Sequence, residues 1–330
     1  THFSLTIECE DEAEVDAKLD QFRAIWQARG KANPLLHADT RGNNVLHALS
    51  KTLTSVVASL ATYIHCTCLL APEAAAHKNR DGNTPFATLV SRPSATAAPL
   101  QCLMWHYPEA VRVQDRQQLL CLHRLLREGG YSRSEANAEL VIKTVVAAWP
   151  AAAAIPCVAS GGFSGGEGSG LPLHMAIRNR KTRSCASAIF EAFPAAIDTP
   201  DPADGLYAVH MACARPSGYH HSNYSSDPKL LSFCLEADKM AATRTDSHGR
   251  IALCHVCQSR GNDRARDSAR VAKCASMLIS AYPDSVKRLW PTPDVHRALA
   301  PGTSSAMLPL HAAIIFGISP DTIQLLVEAF

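Results

Sequence analysis

Long apolar runs are missing from this 330-residue sequence. None reaches the roughly 18 residues a helix needs to span a bilayer, so no membrane insertion is expected. An excess of one charge is missing too. Lys and Arg number 32 against 30 Asp and Glu, and that balance offers no electrostatic footprint for nucleic acid. No charged-then-apolar leader opens the chain at Thr1, so no targeting segment is expected. The 12 cysteines lack the regular spacing of a disulfide framework. Cys66, Cys102, Cys121, Cys213, Cys234 and Cys274 fall in apolar, helix-like stretches, where a thiol behaves as a small hydrophobe. An intracellular location follows, the reducing cytoplasm most simply.

What is present reads as a folded chain: 47% hydrophobic and 19% charged residues. Its length exceeds one compact core, which leaves two domains or an elongated repeat array. The segment LPLHMAI at 171–177 returns as LPLHAAI at 308–314. Related openings are NVLHAL (44–49), TPFATL (84–89), LCLHRL (120–125), YAVHMA (207–212) and IALCHV (251–256). Aligned on the histidine, the ruler residues are His47, Ala87, His123, His174, His210, Cys254 and His311, at steps of 40, 36, 51, 36, 44 and 57. The shortest step approximates a fixed unit, and the longer ones carry insertions.

A second mark alternates with the first: VVAAWP (145–150), IFEAFP (189–194) and LISAYP (278–283), with LMWHYP (103–108) as a variant and LLAP (69–72) as an echo. Pro in LPLH fits a first helical turn, where its missing N–H would be unpaired anyway. Pro after the aromatic cannot continue a helix and pushes the preceding residue out of the helical region. One mark therefore starts a helix and the other ends one. The Leu and Ala three residues apart share a face, and Leu310 is expected to be buried by the last opening. A third mark precedes the first helix: Asp39-Thr-Arg-Gly42, Asn79-Arg-Asp-Gly82 and Asp246-Ser-His-Gly249, with Gly205 at the same offset before His210. Asp or Asn with Gly three positions on is turn chemistry. A single helix pair of this size cannot bury its apolar faces, whereas stacked pairs can.

The combination resembles the ankyrin repeat, with D-x-x-G, T-P-L-H-x-A and two helices in each unit. Asn79-Arg-Asp-Gly-Asn-Thr-Pro-Phe-Ala carries the likeness best, and Leu171–Ala176 and Leu308–Ala313 match at the helix opening. The resemblance implies helix-capping and inter-repeat hydrogen-bonding roles for Pro85, Pro172, Pro309, His47, His174, His210 and His311, and His123 occupies the same ruler position. Thr is mostly replaced, Ala87 and Cys254 stand in place of His, and the spacing is long and uneven. The implied fold is an all-α, ankyrin-like helical-repeat solenoid of about seven helix-turn-helix units. Residues 33–330 would form the array, with a flexible Gly/Ser loop at 160–170. Residues 1–32, apolar at Val15, Leu19, Phe22 and Trp26 and acidic at the start, would form a capping helix or the second helix of a truncated repeat. The ending LVEAF stops one residue before its pattern would place Pro, so the chain is expected to stop inside a longer protein.

Catalytic motifs do not survive their context. Gly162-Phe-Ser-Gly-Gly166 matches G-x-S-x-G but lies in the low-complexity run GGFSGGEGSG, without a strand before it or a helix directly after. The same run lacks the G-K-[ST] of a phosphate loop. Cys254-His-Val-Cys257 is half a zinc motif; His248 and Cys274 could complete it, but no second pair stands at finger spacing. His65-Cys-Thr-Cys68 falls on a second helix and His220-His221 in a polar loop, both without visible partners. The ruler histidines form a ladder and cannot converge on a substrate. No catalytic residue, metal ligand or cofactor is expected. The expected role is protein–protein recognition. The alternatives are substrate recruitment for a catalytic domain outside this chain, or a structural subunit of a large assembly. Arg266, Arg270 and Lys273, with Arg264 beside them, stand on a long second helix away from its Val271–Cys274–Leu278 stripe, and are the candidate contacts for an acidic protein segment.

Overall fold

The computed structural model describes Ala24 and residues 33–51, 57–92, 95–127, 135–157, 170–202, 204–214, 226–258, 265–291 and 306–330. The fold is all-α, of the helical-repeat class. Seven helix pairs occur among the described residues. They are α1 (Val45–Lys51) with α2 (Val57–Leu70), α3 (Pro85–Val90) with α4 (Ala97–His106), and α5 (Cys121–Arg127) with α6 (Glu135–Ala148). The next are α7 (Pro172–Arg178) with α8 (Arg183–Ala192) and α9 (Ala208–Cys213) with α10 (Pro228–Ala237). The last are α11 (Ala252–Gln258) with α12 (Ala265–Ala281) and α13 (Pro309–Ile315) with α14 (Pro320–Ala329).

The chain forms two compact units, 1–121 with 132–148 and 122–131 with 149–330. In the first, α1 packs on α3, and α2 on α4, which in turn meets α6. In the second, α7, α9, α11 and α13 pack in succession, and so do α8, α10, α12 and α14. First helices thus stack on first helices and second on second. Ala176, Ala212, Ala252 and Ala312 are fully buried in the first-helix row, where a small side chain lets backbones approach. Leu173 and Val209 share that buried face, but Leu310 is only half-buried.

Pro85, Pro172 and Pro309 each open a helix at its first turn. Tyr107, Trp149, Phe193 and Tyr282 each follow the last residue of a second helix, with φ between −140° and −149° and ψ near 80°. The proline after each does more than end the helix. It opens a 3-10 turn: Pro108–Arg112, Pro150–Ala154, Pro194–Ile197 and Pro283–Lys287. Proline's fixed φ suits that turn as well as it suits a helix start. Where CLEADK lacks aromatic and proline, Asp238 ends α10 and a shorter turn, Ala241–Thr243, follows.

The turns ahead of the first helices share one construction. Asp39 Oδ1 accepts from the N–H groups of Arg41 and Asn43, both at 2.8 Å. Asn79 Oδ1 does the same for Asp81 and Asn83, and Asp246 Oδ1 for His248 and Arg250. Gly42, Gly82 and Gly249 take φ of +76°, +78° and +75°. A fourth turn was not legible as D-x-x-G: Asp115 Oδ1 accepts from Gln117 and Leu119, and Gln118 takes φ +59°. A Cβ at Gly82 would stand 3.2 Å from the backbone nitrogen of Arg116, so this turn and the next are in contact.

Two short strands, β1 (Trp290–Pro291) and β2 (Ala306–Met307), pair antiparallel ahead of α13. The N-terminal 1–32 region, Ala24 apart, and the glycine-rich run, Gly170 apart, lie outside the described residues. The run's flanks are described: Cys157 and Gly170 exchange backbone hydrogen bonds of 2.9 and 3.2 Å. Arg180, at φ +53°, is an unforeseen brace. Its guanidinium donates to Ala212 O at 3.0 Å and Ala214 O at 2.6 Å, satisfying carbonyls at the end of α9.

Candidate functional site

Three of the five ruler histidines, His47, His123 and His210, reach a backbone carbonyl in the following repeat. In α9, Tyr207 N–H donates to His210 Nδ1 at 3.1 Å, which leaves Nε2 to donate to Arg244 O at 3.1 Å, 34 residues on. His47 Nε2 likewise lies 2.9 Å from Asn83 O, while its Nδ1 faces both the Asn44 side chain, with Oδ1 at 2.7 Å, and the Asn44 N–H at 3.3 Å. His123 Nε2 is 2.9 Å from Ile155 O. His311 accepts from Leu308 N–H at 3.3 Å and is exposed. At His174 the structure differs from the implied role. The ring is fully buried, and among the described residues neither nitrogen makes a hydrogen bond of good geometry, although the backbone of Ala196 and Thr199 lies close enough to act on it. Burial outweighs the pull of Asp201 and depresses its pKa.

Chemistry-bearing residues in the second unit are likewise engaged by the fold. His255 Nε2 meets Asp246 Oδ2 at 3.0 Å, and Arg250 reaches the same oxygen at 2.8 Å. Burial lowers the His255 pKa; at Asp246 burial pushes upward, but the hydrogen bonds with His255 and the Arg250 N–H, with the charge of Arg250, hold the carboxylate well below its usual range. Cys254 and Cys257 are both buried, Cys274 is buried on α12, and His248 is exposed beside Ser247. Of the basic face, Arg264 and the side chain of Arg266 lie outside the described residues. Arg270 and Lys273 are exposed on α12, while Val271, Cys274 and Leu278 are buried. His220 and His221 also lie outside the described residues.

The first unit contains two arrangements that sequence spacing did not reveal. One is a row of turn tips. The anchors Asn79 and Asp115 are buried, while Arg41, Arg80 and Arg116, all at turn tips, are exposed. Arg80 N–H donates to Arg41 O at 3.0 Å, which ties the first tip to the second. The other is a cluster on α2 and α4. His65 Nδ1 lies 3.0 Å from His106 Nε2, and the donor atoms of His65, Cys102 and His106 all lie within 4.8 Å of one another. The Trp105 ring stacks on His65 at 5.4 Å between centroids and 10° between planes. Burial, then the neighbouring His65, lowers the His106 pKa; burial, then Cys66, pushes the Cys102 thiol up to about 11.

No protein-family model matches this sequence. No curated protein matches it either. Among solved structures, the human ASB11 ankyrin repeat domain is similar in fold. The match covers 79% of this chain and 96% of that one, at 14% identity and a TM-score of 0.45. A likeness that distant adds nothing to what the turns, ladders and stops of this chain already show. Only the 3.6-residue period could have hinted at the α2–α4 cluster. Cys102 and His106 stand four apart on one helix, but His65 comes from a helix a repeat earlier.

Proposed function

We propose that this chain is a divergent ankyrin-type array whose role is protein–protein recognition, without catalysis and without nucleic acid as a partner. The observation that carries this reading is the construction of the turns. Asn79, Asp115 and Asp246 are buried, Asp39 is at the surface, and each holds its loop by two backbone N–H bonds while the tip residues between are left to solvent. Rigid anchors with exposed, unlike tips suit contact with another protein, because little loop entropy is lost on binding. Arg41, Arg80 and Arg116 give the first unit's tips a basic character that suits an acidic segment. Arg264, Arg266, Arg270 and Lys273 are proposed as a second contact of the same kind. The eleven cysteines among the described residues form no disulfide, which supports a reducing, intracellular setting. No helix among them is long and apolar enough to cross a membrane.

The test is affinity capture with the full chain, identification by mass spectrometry, and measurement of the purified pair. Arg41→Glu with Arg80→Glu and Arg116→Glu should weaken binding at least about tenfold and flatten its salt dependence, with helicity and melting unchanged. Arg270→Glu with Lys273→Glu tests the second surface in the same assay. Unchanged affinity in both variants would remove the basic surfaces from the proposal. A captured partner that is nucleic acid would remove the proposal itself.

A further inference from the structure

The geometry points to a transition-metal site of the zinc class on the first unit, formed by His65 Nδ1, Cys102 Sγ and His106 Nε2. The donor set is the first argument. Two imidazoles and a thiol are the ligands zinc selects, whereas magnesium and calcium demand oxygens. The mounting is the second. Cys102 and His106 are four residues apart on α4, so they share a face, and α2 packs against α4 and brings His65 to them. Ring orientation is the third. Stacking of His65 on Trp105 fixes the imidazole plane with Nδ1 directed at His106. Trp105 is 72% exposed, so that ring serves the histidine more than any core.

Distances suit the ion after a small adjustment. At a zinc–nitrogen bond of about 2.0 Å, tetrahedral geometry places two nitrogens about 3.3 Å apart. The imidazole pair stands at 3.0 Å and needs only slight opening. The thiol, which otherwise reaches Ala61 O at 3.5 Å, lies within 4.8 Å of both ring nitrogens and needs to move in by roughly 1 Å at most, within reach of one χ1 change. On binding, Cys102 releases its proton to solvent as the metal–sulfur bond forms. The proton between the two rings moves to a free ring nitrogen, so the net release is one proton. All three residues are half-buried, so solvent reaches the cluster and water could serve as fourth ligand. An ion held this way would tie α2 to α4, and therefore the first helix pair to the second. That role is independent of the recognition reading above.

The experiment uses the full chain, reduced and freed of metal by a chelator, then titrated with cobalt(II) and back-titrated with zinc(II). One equivalent of cobalt should produce tetrahedral d–d bands with a thiolate charge-transfer band, and zinc should bleach both. Cys102→Ser should abolish the charge-transfer band. His65→Gln and His106→Gln should each weaken zinc binding at least about tenfold. A wild-type chain without tetrahedral bands overturns the site, and so does a band that survives Cys102→Ser. Should the variants not fold, the wild type still decides. Zinc should slow alkylation of Cys102 at least about tenfold, read peptide by peptide, and an unchanged rate sinks the proposal.

Discussion

At the scale of the residue, the same letter does different work in successive repeats. His210 is held at both ring nitrogens and has no exposed surface. Burial, with the nearby His255, brings its pKa down to about 4. The unfolded chain, where histidine titrates near 6.5, therefore binds this proton more readily than the folded one. Stability from keeping His210 neutral is full above about pH 6.5 and is lost as pH falls toward 4, a change of about 3 kcal/mol. His47, His174 and His255 shift in the same direction through burial. Melting followed from pH 7 to pH 4 should fall steadily. His210→Gln should melt lower at pH 7 and show a shallower pH slope; an equal slope in both proteins would refute the assignment. That His210 stands in a helix opening was legible. How the His174 ring sits was not, because its surroundings are set by the backbone of Ala196 and Thr199 in the neighbouring turn region.

At the scale of the element, turns and stops carry more of the specification than propensity does. Gln118 shows this by exception. It holds a left-handed φ of +59° at the position where Gly42, Gly82 and Gly249 stand in their turns. A side chain there costs roughly 1–2 kcal/mol, and glycine gives back part of that as unfolded-state entropy, about 0.4–1 kcal/mol. Gln118→Gly should therefore raise stability slightly, by about 0.5 kcal/mol in denaturant titration. Gly82→Ala should lower it by about 1–2 kcal/mol or more, since its Cβ would also meet Arg116 at 3.1 Å. A Gln118→Gly chain that melts lower would show that the side chain contributes more than its strain removes. The aromatic-proline stop was readable in advance as a helix end. The 3-10 turn after it was not, because proline's φ is compatible with several continuations and packing selects among them.

At the scale of the whole molecule, the long step between His123 and His174 carries the glycine-rich segment. Cys157 and Gly170 are paired across the ends of the glycine-rich segment. Its closure cost varies only weakly with length. Replacing 158–169 by a four-residue linker should leave far-UV helicity unchanged and melting nearly so, and Ser164→Ala should alter neither. Loss of helicity on shortening would mean that the segment packs on the helices. Gly170 itself must stay, since it takes φ +98° and a Cβ there would stand 2.6 Å from Asp201 Oδ2.

Local chemistry made much of this architecture readable in one dimension. Proline at a helix opening, proline after an aromatic stop, and Asp or Asn before a left-handed glycine act through the backbone within a few residues. Helix pairs, their order and the stacked class therefore followed from the sequence by itself. Interactions across repeats did not. His65 meets Cys102 and His106 only because α2 lies against α4, and Arg80 meets Arg41 only because successive turns come into register. The distance between such residues depends on insertions, exact helix ends and packing angles, none of which a local pattern encodes. Tertiary structure alone decided which buried histidine is satisfied, which thiol faces an imidazole pair and which arginines share a row, because contacts between repeats are set by how whole helices pack.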